Sequence, residues 1–221
     1  MTVTTGRTLD DAGEPIPGTG FEIDPDGWLA EQLRERTGPI TSHPTRPVWG
    51  APLSGSDGTI RTLSVFGPGY GGPPPHYHEQ SPERFDIERG QLTLTLDGTE
   101  RSATAGDSVT VDPGVVHSFR NDAGERAVAV THIHSPGRLR EVLPTLGGLA
   151  HDPERDPEDP LQRALIADRL AGNTTFTDAE TLPSALTDAA AAVAELAGYQ
   201  SAYATYTQPA FWRRHVEQPD L

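Results

Sequence analysis

Between Arg46 and about Ser135 the sequence is broken into short runs in which apolar and polar residues alternate, separated by turn-forming residues. Alternation with a period of two puts successive side chains on opposite faces of a strand. Glu83 to Glu88 sets Glu83, Phe85 and Ile87 on one face and Arg84, Asp86 and Glu88 on the other. Gln91 to Leu96 sets Leu92, Leu94 and Leu96 against Thr93 and Thr95, and Asp97-Gly98 is a hairpin turn signal. Further runs lie at Thr59 to Phe66, Ser108 to Val111, Val115 to Arg120 and Arg126 to His134. So many short strands predict an all-β, antiparallel sandwich or barrel. With 34% hydrophobic residues, 6% aromatics, 23 Gly and 21 Pro, the chain suits a turn-rich β domain with a modest core.

A chain of 221 residues can hold one substantial domain, or one domain with an appendage. Residues 1–45 are polar, punctuated by Gly and Pro, and read as an N-terminal arm. Its one helical candidate, Trp28 to Arg36, could cover an end of the core with Trp28, Leu29 and Leu33. Residues 46–136 form the barrel, and 137–221 a C-terminal helical extension. In that extension His151 to Pro160 is a charged, Pro-rich linker. Asp159 and Pro160 make an N-cap and first-turn pair for a helix through Leu161, Leu165 and Leu170, ending at Gly172. A second helix starts near Pro183, carries Leu186, Ala190, Val193 and Ala197, and stops at Gly198. Both are amphipathic and need a surface, either the barrel or a second subunit.

The chemistry concentrates in Gly71-Gly72-Pro73-Pro74-Pro75-His76-Tyr77-His78-Glu79-Gln80-Ser81-Pro82-Glu83. His76 and His78 are two apart on an extended segment, stiffened by three prolines, and can converge on one ion. Glu79 lies on the opposite face by parity, and Tyr77 points away from the pair. Glu83 shares the inward face of Phe85 and Ile87, where a carboxylate is costly unless paired, protonated or metal-bound. Downstream, Val109 and Val111 make a buried strand, Pro113-Gly114 turns the chain, and His117 shares a face with Val115 and Phe119. His76, His78, Glu83 and His117 are therefore the candidate metal ligands. Three imidazoles and one carboxylate leave one or two positions open, which suits one divalent transition metal, Fe, Mn, Ni, Co, Cu or Zn.

These two segments resemble the paired motifs of the cupin superfamily. The first runs His-x-His, four residues, Glu, six residues, Gly, met by His76, His78, Glu83 and Gly90. The second, a Gly, a strand, a turn Gly, two residues, His, three residues and Asn, is met by Gly106, Gly114, His117 and Asn121. Asp112 stands where the family usually has Pro, with Pro113 one place later, and the Gly before the first His is displaced to Gly71. The resemblance implies an antiparallel double-stranded β-helix of the jelly-roll kind and, on family grounds, a homodimer. The Gly67 to Glu83 stretch is most similar to the quercetin-dioxygenase-like branch. That likeness implies a small-molecule dioxygenase in which Glu83 is both ligand and proton acceptor. A non-catalytic small-ligand sensor and a redox-neutral isomerase or hydrolase remain as alternatives.

Other features narrow the field. Cys is absent, which excludes disulfides, thiolate metal sites and cysteine nucleophiles. Seventeen basic against 32 acidic residues give a net charge of −15, and every basic residue is Arg. Nucleic acid and anionic membranes are thus disfavoured partners. The acidic surplus without Lys points to a halophilic protein, since a GC-rich genome explains missing Lys but not the excess carboxylates. Without an apolar span or a signal-peptide core, the expected location is cytoplasmic. His132 and His134 share a strand face and could line the pocket if that face is inward, although exposed strand pairs are commoner. Arg61, on the face of Leu63 and Val65, could anchor an anion but fits a solvated rim better. Phe85, Leu94 and Phe119 read as core or pocket wall. Tyr199, Tyr203, Tyr206, Phe211 and Trp212 read as packing or a subunit contact, and His43, His151 and His215 as surface residues.

Overall fold

The computed structural model describes residues 1–55, 58–177 and 183–221, with the backbone alone at Ser184. Two antiparallel sheets face one another and hold the centre of the molecule. The larger contains β3 (Thr41–Ser42), β4 (Val48–Leu53), β5 (Ile60–Phe66), β7 (Glu83–Arg89), β10 (Ser108–Val111) and β12 (Ala127–Ile133). Their order is β10-β7-β12-β5-β4-β3. The smaller contains β6 (His76–His78), β8 (Gln91–Leu96), β9 (Thr99–Thr104), β11 (His117–Arg120) and β13 (Thr174–Phe176), in the order β13-β6-β11-β8-β9. The expected antiparallel β architecture is observed, and the Asp97-Gly98 hairpin joins β8 to β9 with positive φ at both residues.

The space between the sheets is filled by Phe66, Phe85, Ile87, Leu92, Leu94, Ala103, Val109, Val111, Ala127 and Ala129. Burial of Glu83, Phe85 and Ile87 on one face of β7 follows the period-two pattern. β12 is buried on both faces from Ala127 to Val130. A second core explains this. Trp49, Leu63, Val65, Val128 and Val130 on the outer face of the larger sheet pack with Phe21, Ile23, Leu33 and Ile40, and with Trp212 and Val216.

The first 45 residues therefore contribute to a core. β1 (Val3–Thr5) pairs with β2 (Phe21–Ile23), and α1 (Trp28–Arg34) buries Ala30 and Leu33 while Trp28 stays 40% exposed. The two ends of the chain also meet: Arg7 donates to both carboxylate oxygens of Glu217 at 2.7 and 2.6 Å, and Gln218 hydrogen-bonds the backbone of Ile40.

The C-terminal region holds four of the five α-helices found among the described residues. α2 (Leu139–Leu149) was masked in the sequence by its internal Pro144 and by Gly147-Gly148, both of which read as breakers. α3 (Pro160–Leu170) has the expected start, with the Asp159 side chain accepting from the Leu161 N–H and Pro160 in the first turn. α4 (Ser184–Leu196) presents a different face from the expected one. Ala191 and Ala194 are buried against Leu165, whereas Leu186, Val193 and Leu196 are exposed. Alanine side chains allow the two helices to approach closely, so the larger side chains are left outside. α5 (Pro209–His215) brings Trp212 back to the outer sheet face. Tyr203, Tyr206 and Trp212 are packed within the chain, and His151, expected at the surface, is 8% exposed beneath Ser42 and Trp212.

Ile133, Leu139, Val142, Leu149, Ile166, Leu170, Tyr203 and Tyr206 form a third core, against which Phe176 packs. Gly148 sits at its tightest point, because an added Cβ would lie 2.3 Å from Cγ of the fully buried Tyr206. Gly148→Ala should destabilise the chain by about 1–3 kcal/mol through overpacking, although the same change in an exposed helix would stabilise it. Urea denaturation tests this, and an unchanged or raised midpoint would contradict the packing.

Candidate metal centre

The Pro73-Pro74-Pro75 segment leads into β6 in an extended path, and Gly72 before it passes against β11. A Cβ on Gly72 would lie 1.7 Å from the Phe119 carbonyl oxygen, and its φ of +82° favours glycine. This close approach aligns β6 with β11, where His76 stands opposite His117 in the ladder. Asn121, fully buried, secures the far end. Its Nδ2 donates to the carbonyls of Phe66, Gly67 and Glu125, and its Oδ1 accepts from the Ala123 N–H. Gly90 ends the first motif at a φ of +72°, where a Cβ would meet the Arg126 carbonyl oxygen at 2.4 Å.

The result is one cluster drawn from both sheets. His76 and His78 come from β6, His117 from β11 and Glu83 from the start of β7. One donor atom from each lies within 4.8 Å of every other, and all four side chains are buried. The four sequence-predicted ligands are thus brought together. Glu79 is not among them: its Oε1 accepts from the Thr175 hydroxyl at 2.6 Å. His132 and His134 also lie elsewhere, with His132 Nε2 at 3.0 Å from Asp86 Oδ2 and His134 Nδ1 at 3.0 Å from Thr59 Oγ1. Arg61 donates to the Ser54 carbonyl.

The hydrogen bonds orient the rings. His76 Nδ1 lies 2.9 Å from the Pro74 carbonyl oxygen and His117 Nδ1 lies 3.0 Å from that of Val115. A carbonyl only accepts, so both Nδ1 atoms carry hydrogen and both Nε2 atoms face the cluster. Glu83 Oε2 accepts from His117 Nε2 at 2.9 Å. His78 Nε2 stands 3.4 Å from the same oxygen, near enough for charge attraction, yet buried without a hydrogen-bond partner. Three imidazole nitrogens and one carboxylate oxygen, one of them an orphaned buried atom, match the donor set of a divalent transition-metal site.

Sequence reasoning missed two residues here, both on β13. Thr174 Oγ1 lies 2.9 Å from His78 Nδ1, and the Phe176 ring stands 5.9 Å from that of His76. Thr-Thr-Phe is too short and polar to signal a strand, and its pairing with β6 is long-range.

Burial pushes the Glu83 carboxyl up, but the hydrogen bond from His117 and the attraction of the His117 and His78 rings outweigh it and hold it at about 2. Burial pushes His117 down, but its bond to Glu83 and that carboxylate's charge carry it above the ordinary imidazole value of 6.5. Burial, then repulsion from His117, lowers His76 to about 4. The sign of each effect on stability differs. His117 contributes fully below 6.5 and loses its contribution as pH rises through its folded value; His76 costs stability as pH falls from 6.5 toward 4. For these two groups the metal-free chain is most stable near pH 6.5. Imidazole NMR titration of the metal-free protein should show His117 titrating above 6.5 and His76 near 4. The reverse order would contradict the assignment of the shared proton to His117.

Residues 62–134, which include all four of these side chains, match the family Cupin_2, described as a cupin domain. A 124-residue stretch is 32% identical to quercetin 2,3-dioxygenase of Bacillus subtilis, over 56% of this chain and 35% of that protein. A 49-residue stretch is 43% identical to the "Probable oxidoreductase patJ" of Penicillium expansum, over 22% of this chain and 15% of that protein. The chain thus spans about a third or less of the length of these curated relatives. Among solved structures, a sugar phosphate isomerase from a cupin superfamily of Silicibacter pomeroyi is 21% identical with a TM-score of 0.40, covering 46% of this chain and 73% of that one. With both motifs in place inside the matched segment, residues 62–134 of this chain form a cupin domain.

Proposed function

We propose that His76, His78, Glu83 and His117 hold one divalent transition metal, and that the barrel is a small-molecule metalloenzyme of the dioxygenase type. The observation that carries this reading is the convergence of four buried donor atoms within 4.8 Å of one another. The partial likeness to a quercetin 2,3-dioxygenase and to an oxidoreductase supports the reaction class. A bound Fe, Mn, Ni or Cu ion would supply an open coordination position and oxygen chemistry, and Zn a Lewis acid.

The chain's own residues set the conditions around that ion. The Pro74 and Val115 carbonyls hold the His76 and His117 rings with Nε2 inward. Phe85 and Phe119, with ring centroids 5.0 Å apart, belong to the apolar core between the sheets, and Phe176 stands beside His76. Glu83 is ionised at neutral pH and serves as ligand and as proton acceptor from the substrate. Because His117 must give up its proton to bind an ion, metal affinity should rise with pH through the His117 titration and level off above it.

No described helix is long and apolar enough to cross a membrane, and the net charge of −15 disfavours polyanionic partners. We read the protein as cytoplasmic and homodimeric, with the exposed Leu186, Val193 and Leu196 of α4 available to a second subunit.

Oxygen uptake with a flavonol or a β-diketone tests the reaction. Protein loaded with Fe, Mn, Ni or Cu should consume oxygen, Zn-loaded protein should not, and Glu83→Gln should lower turnover by about a hundredfold or more. Binding of those compounds without turnover under every metal would replace the enzyme by a small-ligand sensor. Turnover without oxygen uptake would replace the dioxygenase by an isomerase or hydrolase.

A further inference from the structure

Two of the three cluster histidines are oriented by the backbone two residues before them, at Pro74 and Val115. His78 differs. Its Nδ1 meets the Thr174 hydroxyl at 2.9 Å, 96 residues along the chain and outside the cupin-matched segment. A hydroxyl can donate or accept, so it does not by itself dictate which ring nitrogen carries hydrogen. Thr174 Oγ1 also stands 3.5 Å from Asn173 Oδ1, an acceptor only, which offers the hydroxyl hydrogen an outlet other than His78 Nδ1. With the hydrogen turned that way, Thr174 accepts from His78 Nδ1–H and leaves the His78 Nε2 lone pair facing the cluster, ready for an ion. Nε2 itself is buried without a hydrogen-bond partner, 3.4 Å from Glu83 Oε2.

The backbone makes the contact a built one. β13 pairs antiparallel with β6 in the register Thr174–His78, Thr175–Tyr77 and Phe176–His76. The Glu79 N–H donates to the Asn173 carbonyl and the Thr177 N–H to that of Pro75, closing both ends of the pairing. Thr174 is 2% exposed, so water does not compete for the hydroxyl. Thr175, of the opposite parity, bonds Glu79.

We infer that Thr174 is a positioning residue of the metal centre: the C-terminal extension locks the third histidine in the tautomer that can bind an ion. The inference rests on the metal-site reading above. Partners that orient a ligating histidine change metal affinity by about 10–100-fold when removed. Residues 137–221 are then part of the centre through one strand, beyond any role they have as a dimer surface.

Two measurements on the full chain test it. Nitrogen-15 imidazole spectra of the metal-free protein should show His78 with hydrogen on Nδ1, and Thr174→Val should convert it to a mixture of tautomers. Titration with Co(II) and with Zn(II) should show affinity reduced about 10–100-fold in Thr174→Val and restored in Thr174→Ser. Thr175→Val, which removes a hydroxyl from the same strand without touching a ligand, should stay within about twofold of wild type if the effect belongs to the His78 contact. Wild-type affinity in Thr174→Val with the His78 tautomer unchanged would overturn the inference and leave the metal site standing. A wild-type chain that binds neither metal would instead remove the metal site, and a His78 ring with hydrogen on Nε2 would then overturn the positioning role as well.

Discussion

One carboxylate buried among three imidazoles sets the terms for the rest of this structure. Glu83 is 6% exposed on the inner face of a strand whose other inward residues are Phe85 and Ile87. Burying an unpaired charge there would cost several kcal/mol. It is tolerated because His117, from the opposite sheet, reaches the carboxylate and places a proton against it. The two sheets must therefore meet at this point in one register. A one-residue slip of β6 would turn His76 and His78 to the outer face, and one of β7 would turn Glu83, so the glycine approach at Gly72 and the buried bonds of Asn121 act on the cluster as much as on the fold.

The part of the site that was legible in the sequence is the part governed by local parity. His76 and His78 are two apart, Glu83 shares a face with Phe85, and His117 follows a Pro-Gly turn. Each relation is decided within a few residues by strand geometry, which also separated Glu83 from Glu79. The same holds for the start of α3, where an Asp-Pro pair satisfies the first free N–H of the helix.

What escaped the sequence depends on contacts between distant segments. β13 has no periodicity of its own and exists because the edge of β6 accepts it. The N-terminal residues read as an arm because Phe21, Ile23 and Leu33 are sparse in a polar segment, yet Trp49, Val65 and Trp212 give them a common core. On α4 the hydrophobic pattern pointed to Leu186 and Val193, whereas packing chose Ala191 and Ala194 because α3 lies close. Amphipathicity identifies a helix more readily than the face its neighbour will take. The charged surroundings of His151 suggest exposure, but its ring is buried against the Ser42 carbonyl.

From the four buried donor atoms that lie within 4.8 Å of one another, we propose that these side chains bind one metal ion. Elemental analysis of protein purified without added metal, beside a His76→Ala/His117→Ala variant, tests it most directly. The expected result is close to one transition-metal ion per chain in the wild type and loss of that metal in the folded double variant. Full metal occupancy in the double variant, or none in a wild type incubated with each of the six candidate metals, would contradict it.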